Sequence, residues 1–343
     1  NKRTPDGLQK AVEYFEQAVA LDPVWPLGYA GLADAYVLMP EYSSMRTSEA
    51  IPKARAAAER ALEMDESLAE AHATMALIAT SYDWDWPTAE REFERAIALS
   101  PNYATAHQWY AEYLLWMGRH HEAIKEITKA QELDPLSLVI SVNVGAFHTH
   151  TGDFEQAETW IRKTLELGPD FAVAHAHLGK SLFLQGRFGE AITETREAVR
   201  LSNNKPSATL GYMCAKAGQP EEARKILDEL AARSTDAYVA PTHFALVHAG
   251  LDERDRMFEW LERAYQERDV LLPLTLIDPL LAPMRSDPRF ADLLRRVGLP
   301  PLTPMPSTGA SSKPPAGKIM LAVLPFENLS RDPEQDYFSD GLT

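Results

Sequence analysis

The chain has 343 residues, 45% of them hydrophobic and 24% charged, the profile of a folded water-soluble protein. Its 34 Lys and Arg against 50 Asp and Glu leave a formal charge of −16, which argues against this segment gripping a phosphate backbone. The one cysteine, Cys214, excludes an internal disulfide and lies in an apolar stretch with no basic neighbour to activate it.

At the amino end, Ala11, Phe15, Ala18 and Pro23 predict the second helix of a pair whose first helix is missing. Tyr29, Leu32, Ala33 and Tyr36 predict a first helix. Its partner, carrying Ala54, Ala58 and Ala61, comes only after a longer loop over residues 39–48. Residues 71–79 and 89–99 form the next pair, joined by Ser81-Tyr82-Asp83-Trp84-Asp85-Trp86-Pro87. There Asp85 caps the following helix and the Trp rings pack the hairpin.

The clearest unit spans residues 102–135. Ala106, Trp109, Tyr110, Tyr113 and Leu114 recur at helical spacing, and Met117-Gly118 ends that helix. Ala123, Ile127, Ala130 and Leu133 follow, with small residues where two helices approach closely, and Pro135 closes the unit. Pro101, Pro135 and Pro169 recur every 34 residues, as do Gly118…Ala123, Gly152…Ala157 and Gly186…Ala191; Gly218…Ala223 follows 32 residues later. The unit repeats over 138–150 with 154–167 and over 172–185 with 188–201, where Asn203 stands in place of the proline. Residues 242–249 and 257–266 give a last pair. A fixed period of this length marks stacked helical hairpins, usually a binding surface.

This register resembles the tetratricopeptide repeat over roughly residues 8–267. The resemblance implies an all-α solenoid, antiparallel helix pairs winding into a right-handed superhelix with a concave groove. Domain boundaries follow: an array over 1–267 with a truncated first repeat, a helical cap over 268–300, a Pro/Ser-rich linker over 301–318, and a short β/α fragment over 319–343. The cap, with Asp278-Pro279, Pro283-Met284-Arg285-Ser286-Asp287-Pro288 and Gly298-Leu299-Pro300, is similar to the closing segment of bacterial tetratricopeptide regulators. Ile319-Met320-Leu321-Ala322-Val323-Leu324-Pro325-Phe326 and the residues after it resemble the opening of the TolB-like amino-terminal domain. That domain accompanies such arrays in bacterial signalling proteins linked to adenylate cyclase, protein kinase or winged-helix domains. There it precedes the repeats; here its first residues follow the cap.

The resemblance places Gln108, Glu112, Leu115, Trp116, Val142, Ala146, His150, Ala176, Lys180 and Phe183 on the concave side. Aromatic and aliphatic anchors with a few polar groups suit a protein partner that presents a peptide or helix. Trp116 and Phe183 would equally serve to pack neighbouring repeats. Some family members grip a carboxylate with several basic groove residues; here only Lys180 and Asn143 stand nearby.

Competing chemistry is thin. Gly179-Lys180-Ser181 lacks the upstream glycine of a phosphate loop and lies inside a helix. His72, His107 and His175 hold equivalent repeat positions, and His148/His150 and His175/His177 are spaced by two, pointing the rings apart on a helix. Asp83 and Asp85 have no second half of a pocket. The expectation is therefore a non-catalytic scaffold without cofactor or metal, binding protein and not nucleic acid. The alternatives are the regulatory half of a cyclase, kinase or winged-helix regulator, or an oligomerising module that pairs through the truncated first repeat. No span is long and apolar enough for a bilayer: residues 270–283 are interrupted by Pro273, Asp278 and Pro279. No signal peptide is visible and the first residue is not Met, so both ends read as cuts from a longer protein. A cytoplasmic site is the default and a periplasmic one the alternative.

Overall fold

A computed structural model of the chain describes residues 5–42 and 45–302. The linker from residue 303 on and the expected TolB-like fragment lie outside the described residues. Helix α1 (Pro5–Leu21) packs on α2. Seven antiparallel pairs follow in the described residues: α2 (Pro26–Tyr42) with α3 (Thr47–Met64), α4 (Ala69–Ile78) with α5 (Trp86–Leu99), α6 (Ala104–Trp116) with α7 (His120–Leu133), and α8 (Leu138–Thr151) with α9 (Phe154–Leu167). Then come α10 (Ala172–Leu184) with α11 (Phe188–Leu201), α12 (Ala208–Lys216) with α13 (Pro220–Arg233), and α14 (Pro241–Gly250) with α15 (Arg254–Gln266).

The two helices of a pair differ in composition because they differ in surroundings. Helix α6 is buried almost all round, from Ala106 to Trp116, because it is packed between its partner α7 and the preceding pair α4–α5. Helix α7 buries only the stripe Ala123, Ile127 and Ala130 and shows a charged outer face. Where the helices of a pair cross, there is no room for a methyl group: a Cβ on Gly179 would lie 2.2 Å from Thr195 Oγ1 and 2.9 Å from the Ala191 carbonyl. Gly118, Gly152, Gly186 and Gly218 take the left-handed conformation at the hairpin turns, the reason the glycine recurs. Asn203, with φ of 57°, does so at the turn that lacks a proline.

A three-point clamp recurs within the pairs. His107 Nδ1 lies 2.6 Å from Glu126 Oε2 on the partner helix, and its Nε2 lies 3.0 Å from the Pro101 carbonyl in the turn before. His72 does the same with Glu92 and Glu66, and His175 with Glu194 and Pro169.

Two segments differ from the sequence reading. The loop expected over 39–48 is mostly helical, since α2 runs to Tyr42 through Pro40 and α3 begins at Thr47. The segment after α4 is a π-helical turn, Ala79–Asp83, ending at Trp84 in the left-handed conformation (φ 56°). Thr80 and Ser81 donate back to the Ala76 and Leu77 carbonyls at 2.7 Å each and satisfy the backbone of this widened turn. Asp85 caps α5 by accepting from Thr88 N at 3.2 Å.

The closing segment comprises α16 (Leu272–Ile277), a 3₁₀ turn (Pro279–Met284) and α17 (Pro288–Val297). Asp278 caps the turn by accepting from Leu280 N at 2.9 Å. Leu272, Leu276, Leu280, Leu281, Met284 and Phe290 are all buried. No helix among the described residues is long and apolar enough to cross a membrane.

Candidate functional site: the concave groove

The closing segment lies against the first helices of several pairs. Helix α16 packs on α6, α14, α15 and α17. Lys180 on α10 donates from Nζ to Asp278 Oδ2 at 2.6 Å. On α12, the Tyr212 hydroxyl donates to the Leu280 carbonyl at 2.6 Å.

The far end is fastened to the π-turn region. Trp86 Nε1 donates to the Val297 carbonyl at 2.9 Å. Arg268, itself left-handed at φ 53°, stacks 4.0 Å over Trp84 and donates to the Tyr82 and Asp83 carbonyls at 3.4 Å each. Trp84 also meets Tyr265 with ring centroids 5.3 Å apart. The Trp rings of this loop thus hold elements some 180 to 210 residues away in sequence, beyond the packing of their own hairpin.

Each expected groove residue has a definite place. Gln108 is buried and donates to Glu112 Oε1 at 3.1 Å; Asn143 donates to the same oxygen at 3.1 Å, tying α6 to α8. Leu115, Val142 and Ala146 are buried among the pairs. Trp116 is buried with its ring edge-on to Trp86 at 6.5 Å, and Phe183 is buried against Phe188 (4.9 Å) and Tyr212 (5.8 Å). His150, Ala176 and Lys180 stay partly exposed, and Lys180 pairs with Asp278. Both donors singled out for carboxylate binding, Lys180 and Asn143, are engaged with the chain's own acids.

The electrostatics follow from burial. Burial lowers the pKa of His150 to about 3, with the Lys180 charge adding to the effect, and burial likewise lowers His177 to about 4. Both rings are therefore neutral near pH 7. Burial opposes the charge on Asp278, but Lys180 and then His150 overcome it, so its carboxyl sits below the usual range. Lys180–Asp278 is thus a charged pair, with only 14% and 13% of the two side chains exposed. Among the described residues no three His, Cys, Asp or Glu side chains converge as metal ligands. Cys214 is buried, and that burial pushes its thiol up.

Sequence reasoning missed Asp278, Leu280 and Val297, the groove's partners from the closing segment. The Asp278-Pro279 step was read only as part of the cap, and nothing local pairs it with Lys180, 98 residues away.

A family profile described as tetratricopeptide repeat matches residues 85–137 and 151–206. Among curated proteins, the transcriptional regulator HilA of Salmonella typhimurium is 28% identical over 153 residues, 44% of this chain and 28% of HilA. The TPR repeat-containing protein YpiA of Bacillus subtilis is 24% identical over 269 residues, 77% of this chain and 61% of YpiA. The chain therefore spans less than two thirds of either relative. Among solved structures, the APC/C hetero-tetramer Cut9–Hcn1 aligns with a TM-score of 0.58 at 18% identity, over 84% of this chain and 52% of that one. The human IFIT1 dimer with PPP-AAAA aligns with a TM-score of 0.56 at 15% identity, over 85% and 68%. The described residues are a tetratricopeptide-type solenoid.

Proposed function

We propose that this chain is a non-catalytic protein-interaction scaffold, the partner-binding region of a bacterial signalling protein, and that its ligand is a peptide or helix received on the concave side. The observation that supports this most is the closing segment itself. The first helices already hold a leucine-bearing helix and turn of the same chain, through the buried Leu272, Leu276, Leu280 and Leu281 and through the Lys180–Asp278 pair and single hydrogen bonds. A surface that accepts such a segment in cis has the shape and chemistry to accept one in trans.

The test places a photo-crosslinking residue at Ala176, partly exposed in the groove, and in a second protein at Glu155, exposed on the outer helix α9. A partner protein linked from 176 and not from 155 is the expected result. Linkage only from 155 would move the interface to the outer face.

The similarity to HilA favours one form of the second reading, in which the chain is the regulatory part of a transcription regulator. A winged-helix domain beyond either end of this sequence would support it; a cyclase or kinase domain would assign the array to an enzyme. Self-association has its own motive. Tyr14, Leu21, Val24, Trp25 and Leu27 are exposed apolar side chains close together in sequence at the amino end. Sedimentation showing a monomer at high concentration would remove that reading.

A further inference from the structure

We propose that two copies of this chain pair through α1, antiparallel, along the stripe Ala11, Tyr14, Ala18 and Leu21. This rests on the self-association reading above and gives it a surface and a register.

Three observations carry it. The first is what the repeat does elsewhere with the same face. Counting back 5, 8 and 12 residues from Pro101 gives Ala96, Phe93 and Ala89 in α5, and from Pro135 it gives Ala130, Ile127 and Ala123 in α7. All six are 0% exposed, each set packed against the first helix of its pair. In α1 the same count from Pro23 reaches Ala18, Phe15 and Ala11, and all three keep accessible surface. By its place in the repeat, this is a face that receives a helix.

The second is spacing. Ala11, Tyr14, Ala18 and Leu21 are separated by three, four and three residues, the period at which two helices hold one seam in contact. Tyr14 is 68% and Leu21 88% exposed. Leu8 and Val12 are buried on the neighbouring side of α1, so the seam and the packing on α2 do not compete for the same residues.

The third is size. In an antiparallel pair centred midway between residues 14 and 18, Ala11 lies opposite the partner's Leu21 and Tyr14 opposite the partner's Ala18. Each large side chain then meets a small one, which lets the helices approach closely. A parallel pair in register sets Tyr14 on Tyr14 and leaves gaps at the alanines. The contact is the same patch on both copies, so it closes as a two-fold dimer. Helix α1 has 17 residues and is therefore about 25 Å long. With the exposed Val24 and Trp25 beyond Leu21, two copies cover apolar surface on the order of 1,000 Å². That is the lower end for a specific interface, so the dimer is reversible and depends on concentration.

The test is sedimentation velocity of the full chain over a rising concentration series, with circular dichroism confirming the helix content of every variant. Tyr14→Glu and Leu21→Glu alter exposed side chains and each place a charge in the seam twice. At least tenfold weaker association is expected from either. Leu136→Glu, at a side chain 79% exposed in the turn after α7, should leave association unchanged. Register is read by disulfide formation between chains. A mixture of Tyr14→Cys and Ala18→Cys chains should cross-link, as should Ala11→Cys with Leu21→Cys. Gln9→Cys alone and Tyr14→Cys alone should not. The buried Cys214 is kept in every variant.

A monomer at every concentration overturns the self-association reading and this proposal together. A dimer that Leu136→Glu weakens and Tyr14→Glu does not keeps self-association and removes α1 from it. Cross-linking of Tyr14→Cys to itself, with none to Ala18→Cys, refutes the antiparallel register.

Discussion

Trp86 is the sharpest point at which to test whether the closure of the array matters. It is 7% exposed, and its indole N–H bonds a carbonyl 211 residues away. Its ring lies 6.3 Å from Tyr113 and 6.5 Å from Trp116. Trp86→Phe keeps most of the aromatic volume but strands the buried Val297 carbonyl, a loss of about 1–3 kcal/mol. Trp86→Ala also opens a cavity, for a total of about 3–5 kcal/mol. In an open solenoid each pair touches only its neighbours, and such a loss stays local. Here the contact joins distant parts, so the larger variant is expected to uncouple them. The assay is urea unfolding followed in parallel by circular dichroism and by fluorescence of the remaining tryptophans. The unaltered chain should show coincident transitions; Trp86→Ala should show two that separate, with a shallower first slope. Coincident transitions with an unchanged midpoint in Trp86→Ala would refute the reasoning.

Gly179→Ala should cost about 1–3 kcal/mol, because its methyl meets the Ala191 carbonyl and the Thr195 hydroxyl at the helix crossing. Gly186→Ala meets nothing within 4 Å and carries only the left-handed backbone penalty, about 1–2 kcal/mol; thermal melts of the two rank them, and a costlier Gly186→Ala would contradict the packing account. Acid should weaken the fold below about pH 6.5, the unfolded histidine value, because His150, His177 and His243, lowered by burial to about 3, 4 and 4, refuse protons that the unfolded chain accepts. His177→Gln should flatten the stability curve between pH 6.5 and 4, and an unchanged slope would remove His177 from the account. For His107 burial works against the charge, but Glu126 and the Pro101 carbonyl raise its pKa on balance, so its contribution is present below the unfolded pKa and fades as pH rises through the folded value. His107→Asn should therefore cost more at pH 6 than at pH 9 in denaturant midpoints.

The local half of the fold was legible because its causes are local. A glycine five residues before an alanine specifies a left-handed turn followed by a close crossing, and Gly118, Gly152, Gly186 and Gly218 all take that conformation. Asp85 reads as a cap from its place before Trp86-Pro87 and serves as one. Elsewhere the reading missed: a loop was expected from residue 39, yet α2 continues through Pro40 to Tyr42. The groove was read as a set of residues on one side of the first helices. What covers it was not. Period and spacing describe neighbours in the array, whereas Lys180–Asp278 and Trp86–Val297 depend on how far the superhelix has turned after several pairs. That angle accumulates from small rotations that no single motif encodes.

The histidine clamp has a consequence for how such a chain can grow. Pro101, His107 and Glu126 all fall within one stretch of 34 residues, and the bonds of the clamp run among those three and to no other unit. A gene segment copied with that phase would bring its own fastening, already complete, into whatever position it landed. Ser141 occupies the place where the period calls for the histidine in α8, and that unit still stands between two clamped ones. The lineage could thus lengthen by copying and then let individual copies drift, with the fastened units holding shape for those that lost the device.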